Sequence, residues 1–169
     1  MDATALRAMQ APLKERYKGD PKSAYITLKA KGTLDDAHIA CKVETGRALA
    51  VAGLHPATGG SGLELCSGDM LLEALVACAG VTLKAVATAL DVPLKSGKVS
   101  AEGDLDFRGT LGVAKDAPVG FAAIRLRFDV ETDAPPDKLD ALLKLTVRYC
   151  VVYPTLKSGP PIEVKLNRA

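Results

Sequence analysis

The sequence predicts an α+β domain in which strands occur in runs between helices. Residues 67–90 form a long apolar segment with helical character. Three strand-like segments precede it, and two strand-like segments, a second helical segment and a final strand follow it. Strands that come in runs, rather than alternating singly with helices, favour the α+β class over a doubly wound parallel sheet. The chain has 169 residues, of which 48% are hydrophobic, and shows no repeat or domain boundary, so we expect one domain.

The composition argues against several classes of function. With 22 basic and 20 acidic residues, the net charge of +2 is too balanced to indicate a nucleic-acid or membrane-surface partner. Tryptophan is absent and aromatic residues make up 4%, so base-stacking platforms are lacking. The cysteines form no C-x-x-C pair, and the two histidines are too scattered to complete a zinc site. The four cysteines are Cys41, Cys66, Cys78 and Cys150.

The N-terminal segment has no uninterrupted apolar stretch of the kind found in a secretory signal. We therefore expect a cytoplasmic protein whose cysteines are free, catalytic or transiently paired. Residues 1–22 are interpreted as an N-terminal extension containing at most a short amphipathic turn, which Pro12 limits. Period-2 alternation then predicts three antiparallel strands, within 24–34, 38–45 and 48–54.

The predicted central helix, residues 67–90, follows a glycine-rich connection, HPATGGSGLELC. That connection lacks the spacing and the lysine of a phosphate-binding loop, so a tight turn is the favoured interpretation. Ser67 is the expected N-cap, and Asp69 and Glu73 lie in the early turns, where carboxylates complement the helix dipole.

The central helix has almost no polar face, so we expect it to be buried on most sides. Glu73 and Lys84 interrupt it well short of a membrane span. Its side chains are unusually small, and Gly80 lies in its middle. Two interpretations of this close-packing surface remain open: the helix packs against its own sheet, or two such helices cross at a dimer interface.

After the central helix, two alternating segments, 97–111 and 121–132, predict a hairpin. Pro135 and Pro136 then open a second predicted helix over 137–153, which Pro154 ends or kinks. The segment IEVKLN, residues 162–167, predicts a closing strand.

Three cysteines are candidates for chemistry. Cys78 lies on an apolar face of the central helix, and Cys150 lies near the end of the second helix. Free cysteines most often serve as buried packing residues. Pro154 cannot donate to the carbonyl of Cys150, so the helix must distort at this thiol. Cys66 precedes the central helix and is a rival for reactivity.

Two motifs resemble a known family. The first extends from Pro56 through Cys78 and contains TGG followed by SGDMLLEALVACA. The second is YCVVYPTL, residues 149–156. Both are similar to segments of the OsmC and organic hydroperoxide resistance superfamily, and the order of elements agrees from about residue 24 to residue 167.

The resemblance implies a thiol-dependent peroxidase that forms an intertwined homodimer with active sites at the subunit interface. Cys78 would be the peroxidatic cysteine and Cys150 the resolving cysteine, and the small apolar residues around Cys78 favour an organic hydroperoxide. No resident cofactor is implied; an external dithiol such as reduced lipoamide would regenerate the enzyme. The runner-up is a dimeric protein of the same fold that binds a hydrophobic small molecule or a thiol compound without peroxidase turnover. In a third interpretation the protein is a structural subunit.

The chain departs from the family pattern at three places. The family's hydroperoxide reductases usually carry a first-turn glutamate bound to an arginine that activates the cysteine, and here the nearest carboxylate is Asp69. The first candidate for the arginine is Arg47 and the second is Arg16. The second motif commonly has proline directly after the cysteine, where this chain has Val151.

Overall fold

The structure is a computed structural model that describes residues 2–20, 31–34, 40–44, 49–112 and 114–168. Its helices are α1 (Ala3–Gly19), α2 (Ser67–Ala89), α3 (Phe107–Thr110), α4 (Pro136–Tyr149) and α5 (Val152–Ser158), and its strands are β1 (Lys31–Leu34), β2 (Ala40–Glu44), β3 (Leu49–Gly53), β4 (Leu65–Cys66), β5 (Ser96–Leu105) and β6 (Phe121–Glu131). This is the mixed helix-and-strand composition that the sequence predicts.

The first sheet contains the three predicted antiparallel strands and one further strand. Its order is β1-β2-β3-β4, and β4 pairs in parallel with β3 through Ala52–Leu65 and Gly53–Cys66. Pairing holds Cys66 extended, with φ −81° and ψ 127°, so α2 begins directly after it. The expected N-cap was therefore wrong by one residue: Cys66 is the N-cap, Ser67 is already helical, and no side chain caps the helix.

The glycine-rich connection makes the predicted tight turn. A Cβ added to Gly60 would lie 1.7 Å from the carbonyl oxygen of Leu54, so only glycine fits there. His55 accepts a hydrogen bond at Nδ1 from the N–H of Ala57 (3.0 Å) and stacks on Phe107, with ring centroids 4.8 Å apart. The stack ties this connection to α3.

The predicted hairpin forms from β5 and β6, paired antiparallel from Ser96–Glu131 to Leu105–Phe121. Its first strand is shorter than expected, because residues 107–110 fold as α3. Asp106 caps this short helix by accepting the N–H of Arg108 at 3.1 Å.

The main core lies between α2, the hairpin and α4. Its buried residues are Leu83, Val86, Ala87, Val92 and Leu142. Gly80 faces Val99 of β5, where an added Cβ would meet the valine at an ordinary contact distance of 3.6 Å. Within one chain, therefore, α2 packs on its own sheet, as the first of the two open interpretations expects.

Burial of α2 on most sides is not seen within one chain. Val81 is 73% exposed and Leu71 is 38% exposed, so part of the apolar surface of the helix remains uncovered. The helix is also long and apolar enough to cross a membrane, with a mean hydropathy of 1.8 over 18 residues. Core helices of water-soluble proteins often pass the same test, and α2 packs against β5, α4 and α5.

The N-terminal extension differs from expectation, because α1 continues through Pro12 to Gly19. An internal proline removes one helical hydrogen bond and disfavours the helix. Two favourable features accompany it here. Asp2 caps the helix by accepting the N–H of Ala5 at 2.8 Å, and Ala3 and Leu6 are buried.

The C-terminal part differs in two ways. The second predicted helix is two helices, because α4 ends at Tyr149 and α5 begins at Val152. Pro154 lies in the first turn of α5, where its missing N–H would have had no helical partner, and the helix breaks at Cys150, four residues earlier, where the sequence predicts a distortion. The predicted closing strand is not formed: residues 159–168 have no regular structure, and Ile162, Val164 and Leu166 are 83–99% exposed. A strand needs a neighbouring edge to pair with, and this segment pairs with none in the described part of its own chain.

Candidate active site: two cysteines at a helix break

Cys78 and Cys150 lie together where α2 meets the junction of α4 and α5. Cys78 is half-buried in the middle of α2, and Cys150 is 2% exposed at the C-cap of α4. Both are free, and their thiols lie close enough for each to shift the pKa of the other. The structure thus brings together the two cysteines that the sequence predicts as partners.

The chain leaves the helical conformation at Cys150, which has φ −64° and ψ 124°. Its N–H still donates to the carbonyl of Thr146 at 2.9 Å, and Val151 is again helical. The first amides of a new helix have no carbonyl one turn earlier to bond within that helix. Here one of them bonds sulfur: Tyr153 N–H donates to Cys150 Sγ at 3.4 Å.

The groups around the Cys78 thiol set its ionisation. Burial alone would raise its pKa, but hydrogen bonds from the Val152 amide, the Cys150 thiol, the Val151 amide and the Thr82 hydroxyl outweigh burial and lower the pKa below that of an ordinary cysteine. Donors aimed at a thiolate stabilise it relative to the thiol. Cys78 is therefore the thiol of the pair that ionises first.

Cys150 has the opposite tendency. Burial raises its pKa, and the neighbouring Cys78 adds to the rise, although the Tyr153 and Val152 amides act against it. Cys150 thus keeps its proton while Cys78 is a thiolate. The two thiols thus differ in role: Cys78 can act as a nucleophile, and Cys150 can supply a proton.

Two threonines one helical turn from the cysteines were missed by the sequence reasoning. Thr82 donates its hydroxyl to the carbonyl of Cys78 at 2.8 Å and also lies within reach of the sulfur. Its single proton serves one acceptor at a time. Thr146 is fully buried next to Cys150 along α4, and its hydroxyl has no hydrogen-bond partner among the described residues. The i, i+4 spacing to each cysteine is the signal that could have identified both residues.

The structure does not bring Asp69 to Cys78 within one chain. Asp69 lies exposed in the first turn of α2, nine residues before Cys78. That separation is about 13 Å along the axis and roughly half a turn around it, so the two side chains are on opposite sides of the helix. Arg47 lies outside the described residues, and so does the side chain of Arg16 on α1. The roles expected of these residues stay predictions.

The first turn of α2 has apolar surroundings. A Cβ added to Gly68 would lie 3.5 Å from Phe121 and from the sulfur of Cys66, and 3.6 Å from Leu105. Cys66 is twelve residues from Cys78, about 18 Å along α2, and does not join the cysteine pair. In the described parts of the chain, no group of three or more His, Cys, Asp or Glu side chains could hold a metal ion.

A groove of about 660 Å³ lies near the cysteine pair, although neither cysteine lines it. It begins at Leu75 and Tyr153, each one helical turn from a cysteine, and extends along β6. Its floor is mostly apolar. Its rim carries Arg125, which pairs with Asp104 at 2.8 Å, and Lys157, whose Nζ lies 5.9 Å from the centroid of the Tyr153 ring. Such a groove suits an apolar small molecule better than a strongly hydrated one.

Comparison with known proteins agrees with this fold. The pattern of the OsmC-like protein family matches residues 59–165. Among solved structures, an OsmC-like protein from Mycoplasma pneumoniae has a TM-score of 0.65 and 13% identity, covering 79% of this chain and 89% of that one. An organic hydroperoxide resistance protein OsmC from Legionella pneumophila has a TM-score of 0.61 and 16% identity, covering 80% and 93%.

A third structure, an organic hydroperoxide resistance protein from Elizabethkingia anophelis with thiocyanate bound, has a TM-score of 0.62 and 13% identity, covering 80% and 91%. Among curated sequences, none matches the chain significantly. At identities this low, the structural similarity establishes a shared fold and nothing more. The family match, in contrast, covers more than half of the chain.

Proposed function

Because this chain belongs to the OsmC-like protein family, we propose that it is a thiol-dependent peroxidase that reduces organic hydroperoxides through Cys78 and Cys150. The observation that carries the proposal is the placement of Cys78 on α2 beside Cys150 at the break between α4 and α5, where the pKa of Cys78 is lowered and that of Cys150 is raised. Structural neighbours that are named organic hydroperoxide resistance proteins support the same function. The protein would act in oxidative stress, in the cytoplasm, where cysteines are kept reduced.

The reaction follows from the two thiols. The Cys78 thiolate attacks an oxygen of the hydroperoxide; a sulfur–oxygen bond forms, the O–O bond breaks, and Cys78 becomes a sulfenic acid. The departing alkoxide takes the proton of Cys150 and leaves as an alcohol. The Cys150 thiolate then attacks the Cys78 sulfur, forms a disulfide and releases hydroxide, which solvent protonates to water.

A dithiol completes the cycle by thiol–disulfide exchange, in which its two thiols are oxidised as the Cys78–Cys150 disulfide is reduced. Reduced lipoamide is the expected reductant, and no resident cofactor is needed. The apolar groove beside the cysteines favours a hydroperoxide with an organic substituent.

We further propose that the protein is an intertwined homodimer, for which the uncovered apolar surfaces are the support. One is the exposed face of α2 around Val81. Another is the outer edge of β6, which pairs only with β5 in the described part of the chain and borders an apolar groove of about 650 Å³. The third is the strand-like alternation of Ile162, Val164 and Leu166, which a sheet edge of a second copy would satisfy.

In such a dimer, Asp69 and Arg47 remain the proposed carboxylate and arginine, delivered across the subunit interface. Sedimentation of the wild type should show a dimer, and Val81→Lys should favour the monomer because it places a charge on the shared face. Leu111→Lys, at an exposed position after α3, is the matched control and should leave the dimer intact. A wild-type monomer at all concentrations would contradict the dimer.

The peroxidase proposal is tested by mixing reduced protein with stoichiometric cumene hydroperoxide and measuring peroxide loss, free thiols and intact mass. Wild type should consume peroxide and lose two thiols, and Cys78→Ser should consume none. Cys150→Ser should accumulate over-oxidised Cys78, because no thiol resolves the sulfenic acid. Cys66→Ser is the matched control and should behave as wild type. Peroxide consumption by Cys78→Ser at the wild-type rate would refute the assignment.

The alternative is a binding protein of the same fold for a hydrophobic small molecule or a thiol compound. The groove lined by Leu75, Phe121, Tyr153 and Leu156 favours it, because its volume suits a small ligand. Under this alternative, both thiols stay reduced in the presence of hydroperoxide, while an apolar fluorescent probe binds the groove and Leu156→Arg abolishes its binding.

A further inference from the structure

The groove of about 660 Å³ along β6 and α5 is lined mostly by apolar side chains. These are Leu75, Phe121, Ile124, Leu126 and Leu156, with two alanines. Two of the described lining residues are charged, Arg125 and Lys157, and both are basic; no carboxylate side chain is among them. A concave apolar lining with charges of one sign favours a ligand that has an apolar body and a group of the opposite charge.

Arg125 is already paired with acidic residues. Its Nη2 donates to Asp104 at 2.8 Å and its Nε donates to Glu102 at 3.3 Å, both across the hairpin. Two carboxylates therefore offset its charge, and its N–H groups are directed towards them. Arg125 consequently adds little to the attraction of a further anion.

Lys157 has no such acidic partner. Among the described residues, none forms an ion pair with it, and its Nζ lies 5.9 Å from the centroid of the Tyr153 ring. A cation over an aromatic face is attracted to the ring, and this contact leaves N–H donors of the ammonium for other partners. The Tyr153 ring therefore supports the ammonium at the groove, while its donors remain available to an anion.

The same tyrosine connects this cation with the cysteine pair. The Tyr153 N–H donates to Cys150 Sγ at 3.4 Å, and Lys157 follows Tyr153 by four residues, about 6 Å further along α5. Tyr153 and Lys157 both line the groove, and so does Leu75, which lies one turn before Cys78 on α2. An anion bound at Lys157 would thus direct the rest of the molecule along the groove towards the cysteine end.

We propose that Lys157 is a specificity-determining residue of this groove, which binds the carboxylate or another anionic oxygen group of a ligand whose body is apolar. The inference rests on the proposed peroxidase function, because it names the substrate class of the same site. That class is organic hydroperoxides that carry a negative charge at the end remote from the hydroperoxide group. A neutral organic hydroperoxide would enter the groove without this ion pair.

Two fluorescent probes with the same aromatic skeleton isolate the charge, since anilinonaphthalene sulfonate is anionic and phenylnaphthylamine is neutral. Lys157→Met removes the charge and keeps an apolar stem over Tyr153. Relative to the neutral probe, it should weaken binding of the anionic probe by about two- to fivefold, the effect of one exposed ion pair. Lys157→Arg should retain the wild-type preference. The difference should vanish at about 1 M salt, where charges are screened beyond about 3 Å.

The matched control is Lys138→Met, which makes the same change of charge at an exposed position of α4 that does not line the groove. It should bind both probes as the wild type does. Equal weakening of both probes in Lys157→Met would assign Lys157 a packing role, and equal weakening of the anionic probe in Lys138→Met would reduce the effect to net charge. Either result, or an unchanged affinity of Lys157→Met for the anionic probe, would overturn the proposal.

Probe binding needs no peroxide, so this result is separable from the proposed function. In the peroxidase assay, kcat/KM for the para-carboxylate of cumene hydroperoxide is compared with kcat/KM for cumene hydroperoxide itself. Lys157→Met should lower this ratio by about two- to fivefold, through KM. Selective loss of the anionic probe in a protein that consumes neither hydroperoxide would support the role of Lys157 and refute the peroxidase. Consumption of both hydroperoxides by Lys157→Met with the wild-type ratio would support the peroxidase and overturn the role of Lys157.

Discussion

Thr146 offers a test of the packing between α2 and α4. Its side chain is fully buried, and its hydroxyl is the one buried side-chain polar atom without a partner in the described part of the chain. Three other helical threonines, Thr82, Thr88 and Thr155, donate to the carbonyl four residues earlier at 2.8–2.9 Å. The perturbation is Thr146→Val, which replaces the hydroxyl by a methyl group of nearly the same shape.

The expected change in the free energy of unfolding follows from the hydrogen bond that the Thr146 hydroxyl lacks. Leaving a buried hydroxyl unsatisfied costs about 1–3 kcal/mol, and replacing it by an apolar group of equal shape removes that cost. Thr146→Val should therefore raise the free energy of unfolding by about 1–2 kcal/mol. For a chain of this size, each kcal/mol raises Tm by about 2–4 °C. Helix propensity should not interfere, because valine and threonine are both β-branched and have similar propensities.

Urea denaturation of the reduced protein, followed by circular dichroism, measures the change. The matched control is Thr82→Val, which removes a formed hydrogen bond from α2 and should destabilise by about 0.5–1 kcal/mol. Peroxide consumption by Thr146→Val should equal that of the wild type, because its hydroxyl contacts neither sulfur. A loss of stability in Thr146→Val would show that the hydroxyl has a partner, such as a buried water, and would refute this reasoning.

Three further outcomes are expected. Leu75→Ala should destabilise by about 3 kcal/mol in urea titrations, because the side chain is 2% exposed; a change below 1 kcal/mol would contradict its burial. Gly60→Ala should destabilise by about 1–3 kcal/mol through the clash with Leu54, whereas Gly120→Ala, with nothing within 4 Å of the added Cβ, should be nearly neutral; equal effects would contradict the tight turn. The lowered folded pKa of Cys78 adds stability that is complete above the unfolded pKa, about 8.5, and is lost as pH falls through the folded pKa. The free energy of unfolding relative to Cys78→Ala should thus rise from neutral to alkaline pH, and a flat difference would contradict the lowered pKa.

The sequence was most informative where periodicity is long and uninterrupted. The central helix and the hairpin followed from patterns that local physics determines, and both were found within a few residues of the predicted bounds. The two-residue strand β4 was missed because pairing with β3, not local propensity, holds it extended. It also moved the N-cap of α2 from Ser67 to Cys66.

The cysteine pair was predictable in part. Cys78 and Cys150 were selected from their positions on two helices and from the resemblance to a family, and the structure places their thiols close enough for each to shift the pKa of the other. Pro154 predicted an irregularity at the residue four positions earlier, and the helix does break there, at Cys150. The Tyr153 amide that bonds the Cys150 sulfur could not be predicted, because an N–H is common to nearly every residue and only its direction matters.

The prediction that failed most clearly was the closing strand. Residues 162–167 alternate as a strand should, yet the described chain provides no edge for them. Periodicity reports that a segment is suited to a sheet, whereas pairing depends on where an edge is available. The exposed apolar surface of α2 likewise has no covering element in the described part of the chain. In the proposed homodimer, the second copy would cover this surface and provide a sheet edge for residues 162–167.

The central claim is that Cys78 and Cys150 act as a redox pair. Its most direct measurement is peptide mapping, by mass spectrometry without reductant, of the protein after one equivalent of cumene hydroperoxide. The account predicts a peptide pair linked through Cys78 and Cys150, which disappears on addition of reduced lipoamide, with Cys66 remaining free. Recovery of both cysteines as free thiols after peroxide has been added, or a disulfide that joins Cys66 instead, would contradict it.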